Sequence, residues 1–588
     1  MLRKRVGLLG DHNDQPEVIT SRTDNAIFQT EDDEMMAFPE TPSSRLTSHI
    51  LTTVLGFLTA KDKTVRFRAT QTVAHIVNSL DQIDDELYNL IRLGLAKRLR
   101  DKEPSVRVQA ALGLGRLAEN DDEENEDDDS DNDDVAGGIL IKLLDIMQND
   151  PSADVRRAVL LNLPIRPSTL QWLLERARDS DPATRRALYG KLLPALGDFR
   201  HMSLSHREKL LRWGLRDRDE NVRKATARLF RERWIEDCAS EPNSNEEKKP
   251  GEVAAPKMEA LLELLERIEV IRSGVEEGIA HTAMHEFWDG RPDYREFVTF
   301  DDDYWNDLTP ESAFLVRSLN DYSQSIENER VQEMVEDKMP ELTKFAFHVR
   351  THLNNLITLI QEDALREEED EEAAEAVVEK EFVVEQLLHM ALTFDYTDEM
   401  GRRQINQIMR EAIAQPGLPE ECTKLAVDVL RIVCGKRGES EFYGTVLEAI
   451  AEVRDTILDE EPTVLDENGE ESFHSAQSDI DEGEEAAPRT KPRAPKKEED
   501  PEVAEQKRIQ AVLVYSKCLH IVQCMLQNLE CDIEASEPLK TMLNTLIIPA
   551  VRDSSTMIRE RGLINLGLCM LLSEVGFDMS PASYLVHV

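Results

Sequence analysis

The sequence runs to 588 residues with a formal net charge of -47; 32% of its residues are charged and 5% aromatic. That length exceeds one ordinary core, so an elongated array or several units is expected, and the composition favours helix over sheet. No run of 18 apolar residues occurs, and "MLRKRVGLLGDHNDQ" lacks the apolar stretch of a signal peptide, so an intracellular chain with no membrane partner is expected.

Residues 1–45 are polar and aperiodic, which predicts a disordered segment. Within it Thr41, followed by Pro42, suits a proline-directed kinase. Residues 46–240 then repeat themselves. One phrase recurs as "KDKTVRFRATQTVAHIV" (61–77), "DKEPSVRVQAALGLGRL" (101–117), "DPSADVRRAVLLNLP" (150–164), "DSDPATRRALYGKLL" (179–193) and "DRDENVRKATARLF" (217–230). Each copy has an acidic turn, often with proline, then Val-Arg or Thr-Arg, then apolar residues at helical spacing. A second amphipathic helix lies between copies, such as "LTTVLGFL" or "ILIKLLDIM".

The repeated arginines Arg66, Arg107, Arg156, Arg185 and Arg223 stand 41, 49, 29 and 38 residues apart. The longest interval holds an acidic loop at 120–134, so the underlying period is about 40, the length of a HEAT-type helix pair. One such pair cannot bury its apolar face alone; neighbours must stack. The fold class expected is an all-α HEAT-repeat solenoid, a superhelical array of helix pairs. In such a stack these five arginines can bridge to the next unit's aspartate and hold the register, with ligand contact as the alternative.

Charge is unevenly spread. From Lys61 to Trp234, leaving out 121–134, there are 31 Lys and Arg against 20 Asp and Glu, an excess of 11; the loop itself carries eleven acids. A basic array beside acidic loops differs from a uniformly acidic protein. The candidate cations are Lys61, Lys63 and Arg68 around the first phrase, and Lys97, Arg98, Arg100 and Lys102 before the second. Arg157, Arg186, Arg216 and Arg218 follow in later units. Lys224, Arg228 and Arg231, at i, i+4 and i+7, are expected on one stripe. Stacked units align such positions into a basic track suited to duplex phosphates; a merely solvated charged face is the plainer reading. The acidic loop is read as a spacer, with competition for the basic track as the alternative.

Residues 241–256 read as a linker, and 257–456 as divergent helical repeats. There Thr309 and Pro310 mark a helix start. Residues 457–503 are acidic, then basic, and predict a disordered insertion; Ser478 precedes acids that suit a kinase, and "RTKPRAPKK" resembles a nuclear localisation signal. Helical repeats return over 504–588, with the repeat phrase around Ile558 and Arg559.

Signs of catalysis are missing from the sequence: it has no phosphate-binding loop, no dinucleotide fingerprint and no nucleophile elbow. His281 and His285 with Glu286 lack the order and further ligand of a zinc peptidase. Seven scattered cysteines (Cys238, Cys422, Cys434, Cys518, Cys524, Cys531 and Cys569) form no C-x-x-C pair and read as core residues. No cofactor or metal is expected.

Four stretches support a family resemblance: "TAKDKTVRFRATQTVAHIVNSL"; "VRKATARLFRERWIEDC" followed by "LLELLERIEVIRSGVEEG"; "FWDGRPDYREFVTFDDDYWNDLTPESAFLVR"; and "EFYGTVLEAIAEVRD". In this order they resemble the CAP-G-type third subunits of condensin in their fungal form, from about Thr41 onwards. The resemblance implies a non-catalytic subunit of mitotic chromosome condensation, located in the nucleus and on chromosomes, and in the cytoplasm outside mitosis. It would grip the kleisin subunit and, with it, clamp double-stranded DNA. ATP hydrolysis would belong to the structural-maintenance-of-chromosomes ATPases, reached through the kleisin. Family members begin with further repeats and continue past "PASYLVHV", so the resemblance implies a partial array. Two other classes stay open. One is a HEAT-repeat protein scaffold, of the phosphatase or nuclear-transport type, without DNA binding. The other is a HEAT-like DNA glycosylase, for which Trp172, Trp213 and Trp234 would have to line a cleft.

Overall fold

Acidic turns and prolines decide where the helices begin. A computed structural model of the chain describes residues 41–80, 84–118, 138–240, 254–366, 370–435, 438–455 and 501–573; among these there is helix and no strand. Ser478, the acidic loop at 120–134, the basic cluster "RTKPRAPKK" and most of the segment 1–45 lie outside the described residues. The first helix, Pro42–Leu55, starts inside the segment expected to be disordered. Thr41 caps it: its Oγ1 accepts from Ser44 N while Ser44 Oγ accepts from Thr41 N. This reciprocal cap in "TPSS" overrides the local polarity that suggested disorder.

Five helix pairs follow one another. Their second helices begin at Lys63–Asn78, Pro104–Leu117, Ala153–Asn162, Pro182–Ala187 and Glu220–Arg228. Asp62, Asp181 and Asp219 cap three of them by accepting backbone N–H bonds, and proline opens two. The chain is thus an all-α solenoid of HEAT-type pairs. Buried residues form one apolar cluster from Leu51 to Phe382 and a second from Trp305 to Cys569, overlapping in the middle of the chain.

Successive units approach closely where glycine allows it. At Gly115 an added Cβ would stand 2.5 Å from the carbonyl oxygen of Asn162, in the next unit's second helix. Gly115→Ala should therefore lower stability by about 1–3 kcal/mol, against the ~1 kcal/mol gain expected of such a change in an open helix. Urea unfolding checks this, and a more stable variant would show that the two helices separate freely.

Three π turns interrupt helices among the described residues: Leu188–Leu192, Leu229–Trp234 and Leu543–Ile547. Two of them run into Pro194 and Pro549, which lack the N–H for an i-4 bond and would clash with that carbonyl; the wider turn relieves both. The other is followed by no proline and carries Leu229, Phe230 and Trp234 into the core.

Beyond Trp234 the pairs lengthen and lose the phrase, as in Leu342–Ala364 and Glu371–Ala391. In the helix Pro501–Gln527, the stretch Arg508–Gln527 is long and apolar enough by composition to cross a bilayer, but 56% of that stretch is buried in the second cluster. Its Lys517 is buried too and donates to Leu418 O and Thr423 Oγ1. It packs as a core helix.

Candidate nucleic-acid interface

The repeated arginines join the turns of neighbouring units. Arg66 Nε and Nη2 donate to Asp101 at 2.8 and 3.1 Å, and Arg107 holds Asp150 at 2.7 and 2.9 Å. Arg156 grips Asp179 at 2.8 and 2.6 Å, and Arg185 grips Asp217 at 2.6 and 2.8 Å. Each arginine also donates from Nη1 to carbonyls of its own turn, among them Ala60, Asp101, Asp150 and Asp179. Planar two-point pairing of this kind fixes both distance and angle between units. Arg hydrogen bonds hold the Asp101, Asp179 and Asp217 carboxyls below their ordinary range despite burial, which acts the other way.

The remaining cations do not form one track. Lys61, Lys97, Arg98, Arg100, Lys102, Arg216 and Arg218 sit at the turns between the two helices of a unit, or in the last turn before them, with Lys63 just beyond. Lys61, Lys97, Lys102 and Arg218 have no acidic partner among the described residues. Lys63 lies 4.0 Å from Glu103, Arg98 pairs with Asp101 at 2.8 Å, and Arg216 donates to the Glu277 carbonyl. Arg68 is apart, on Gln71 and over Phe67.

A second group lines a groove of about 870 Å³ formed by the second helices of the third, fourth and fifth units. Arg157, Arg186, Lys191, Arg228 and Arg233 are its cations and Glu232 its one acid; Leu161, Pro194 and Leu229 are on its apolar lining. Arg157 pairs with Asp154 and, at 3.1 Å, with Asp181; Arg228 pairs with Glu232 at 2.8 Å. Arg186 and Lys191 have no acidic partner among the described residues.

The stripe expected of Lys224, Arg228 and Arg231 is not there. The π turn at Leu229–Trp234 adds one residue to the turn, so Glu232 and Arg233 join Arg228 at the groove. Arg231 turns away and packs on Gly290, where an added Cβ would stand 2.4 Å from Arg231 Cδ. Lys224 is exposed, pairs with Glu220 at 2.6 Å and does not line the groove. Lys191 and Arg233 were missed by counting at α-helical spacing; Pro194, three residues after Lys191, is the visible sign of the altered turn.

Arg233 is restrained by Asp237, 3.2 Å away. Burial pushes the Asp237 carboxyl up to about 6, opposed by Arg233. A raised carboxyl costs stability above that pH, and the cost is relieved as pH falls through about 6 towards its ordinary value near 4. Asp237→Asn should melt higher than wild type at pH 7.5, with the difference shrinking at pH 5. A pH-independent difference would show that Asp237 does not titrate there.

The tryptophans and histidines weighed as catalytic candidates serve packing and local hydrogen bonds. Trp234 stacks on Phe199 at 4.7 Å inside the core, Trp213 lies beneath Arg178, and Trp172 packs half-buried on the same cluster. His281 bonds to the Gly274 carbonyl and His285 to Ser325, so the two share no ligand. Glu381, Glu385 and Cys422 bring ligand atoms within 4.8 Å of one another, with Cys422 buried and the two glutamates half-buried.

Comparison with known proteins agrees with the array. A family model described as "Nuclear condensing complex subunits, C-term domain" matches residues 517–579. Condensin complex subunit 3 of Schizosaccharomyces pombe is 34% identical over 545 residues, covering 92% of this chain and 56% of that protein. The Saccharomyces cerevisiae protein of the same name is 30% identical over 570 residues, covering 90% of this chain and 50% of that protein. A crystal structure of the S. pombe condensin Cnd3-Cnd2 subcomplex matches with a TM-score of 0.67 and 31% identity, over 91% of this chain and 56% of that one. The chain therefore spans about half the length of the curated relatives it matches.

Proposed function

We propose that this relative of condensin complex subunit 3 is a non-catalytic scaffold that binds a kleisin subunit and holds double-stranded DNA by its phosphates. Through the kleisin it would serve the structural-maintenance-of-chromosomes ATPases, in the nucleus and on chromosomes. Kinship over nine-tenths of the chain supports the condensin part, and the Cnd3-Cnd2 subcomplex of a solved relative supports a kleisin partner.

The groove carries the duplex part. Five cations from three successive units line it; Arg157, Arg228 and Arg233 are paired with acids, and Arg186 and Lys191, without an acidic partner among the described residues, supply a sequence-independent attraction worth most at low salt. Co-purification with the cognate kleisin, followed by duplex titration with and without it, tests the proposal. Stable co-purification and tighter duplex binding in the complex are expected; a chain that never captures the kleisin would overturn it. The apolar lining of the groove favours a second reading, a protein scaffold in which a peptide occupies the groove. Kleisin capture without duplex affinity would select that reading.

A further inference from the structure

The five repeated arginines are anchored alike but not partnered alike. Arg223 keeps the inner half of the arrangement, its Nη1 donating to Asp217 O at 2.8 Å and Arg218 O at 3.2 Å. No carboxylate among the described residues meets its Nε or Nη2, although another unit is stacked beyond it. The turn of that unit, residues 273–278, contains no aspartate. Glu277 stands there in left-handed backbone at φ 59° and gives its carbonyl to Arg216. Neither nearby aspartate is available: Asp217 is held by Arg185, and Asp219 caps its own helix. Arg559 shares the inner anchor, through Asp553 O and Ser554 O, but stands in the last described helix. Arg223 is thus the one described ladder arginine that has a following unit yet no acid from it.

A guanidinium fixed by its own backbone, with Nε and Nη2 unspent, is preorganised for an anion that offers two oxygens. Exposed Arg216, Arg218 and Lys224 surround it in sequence, and among the described residues only Lys224 of these three has an acidic partner, Glu220. We propose that Arg223 is a phosphate-binding fork: its Nε and Nη2 take two oxygens of one backbone phosphate of a duplex, where the other four arginines take an aspartate. The inference rests on the reading of the basic units as duplex-binding. It extends that reading from the groove to the turn edge of the fifth unit.

The test uses the full chain, a fluorescent duplex at several salt concentrations, and the variants Arg223→Ala, Arg223→Lys and Arg185→Ala. Arg185→Ala should lower the melting temperature, because it leaves Asp217 without its partner. Arg223→Ala, which loses two carbonyl contacts but leaves no buried carboxylate unpaired, should melt closer to wild type than Arg185→Ala, bind duplex roughly tenfold more weakly and show a salt slope smaller by about 1. Arg223→Lys should restore the slope but not the full affinity, since a point charge cannot make the two-point contact. Unchanged binding by Arg223→Ala, with wild type binding normally, would overturn the fork and leave the basic-unit reading intact. A melting loss like that of Arg185→Ala would assign Arg223 to a structural pair, with Glu276 or Glu277 as the acid. Loss of kleisin capture with unchanged duplex binding would assign the fork to a protein carboxylate. A wild-type chain without salt-dependent duplex affinity would overturn both readings.

Discussion

Arg156→Ala is expected to destabilise the units it joins by about 3 kcal/mol, the lower end of what breaking a buried ion pair costs. The Asp179 side chain is 1% exposed, and without Arg156 it keeps only Arg176, at 3.4 Å, and the backbone N–H of Asp181. Removing both partners, as Arg156→Ala with Asp179→Ala, should recover part of the loss, because no buried charge is then left unpaired. In a stacked array the damage stays near the broken seam, so hydrogen exchange should quicken most around 139–195. The Asp179 carboxyl is held low by Arg156, so its contribution is present above the ordinary aspartate range and fades as pH falls through the lowered value. A single variant as stable as wild type would show that the ladder does not hold the register.

Reversing the groove has the largest expected effect on binding. Arg186→Glu combined with Lys191→Glu and Arg228→Glu should weaken duplex affinity by roughly a hundredfold or more at moderate salt and cut the salt slope by about 3. Folding should survive: Arg186 and Lys191 have no acidic partner among the described residues, and the Arg228–Glu232 pair is 72% and 48% exposed. The matched variant at the turn edge, Lys63→Glu with Lys102→Glu and Arg218→Glu, should lose less. If the turn-edge variant loses more, the duplex runs along the turns and the groove belongs to a protein segment.

The arginine phrase exposed much of this to a reader of the sequence alone. Five Val-Arg or Thr-Arg steps behind acidic turns gave the period, and the aspartates of those turns are the ones the arginines grip. Helix starts were readable where proline or a capping residue marks them, as at Thr309, whose Oγ1 accepts from Ser312 N. Three things were not readable. The wide turn at Leu229–Trp234 has no proline to announce it, so counting at i+7 put Arg231 where Glu232 and Arg233 belong. The separation of turn-edge from groove cations depends on which side of a helix pair each residue occupies, and a linear charge count merges the two. The vacancy at Arg223 depends on what the next unit lacks. Between Trp234 and the return of the phrase at Ile558 and Arg559 the pattern is lost: buried Arg317 bonds to Gln386 at 2.7 Å and to Asp321 at 3.3 Å, partners without a fixed spacing in the chain.

The salt dependence of duplex affinity tests the central claim most directly. For the full chain with a duplex of about 30 base pairs, the logarithm of the association constant should fall linearly with the logarithm of salt concentration. A slope of roughly -4 to -6 is predicted, the signature of about five or six phosphates neutralised by the array. A slope near zero, or no binding at low salt by a folded chain, would contradict the account and leave a scaffold that holds proteins alone.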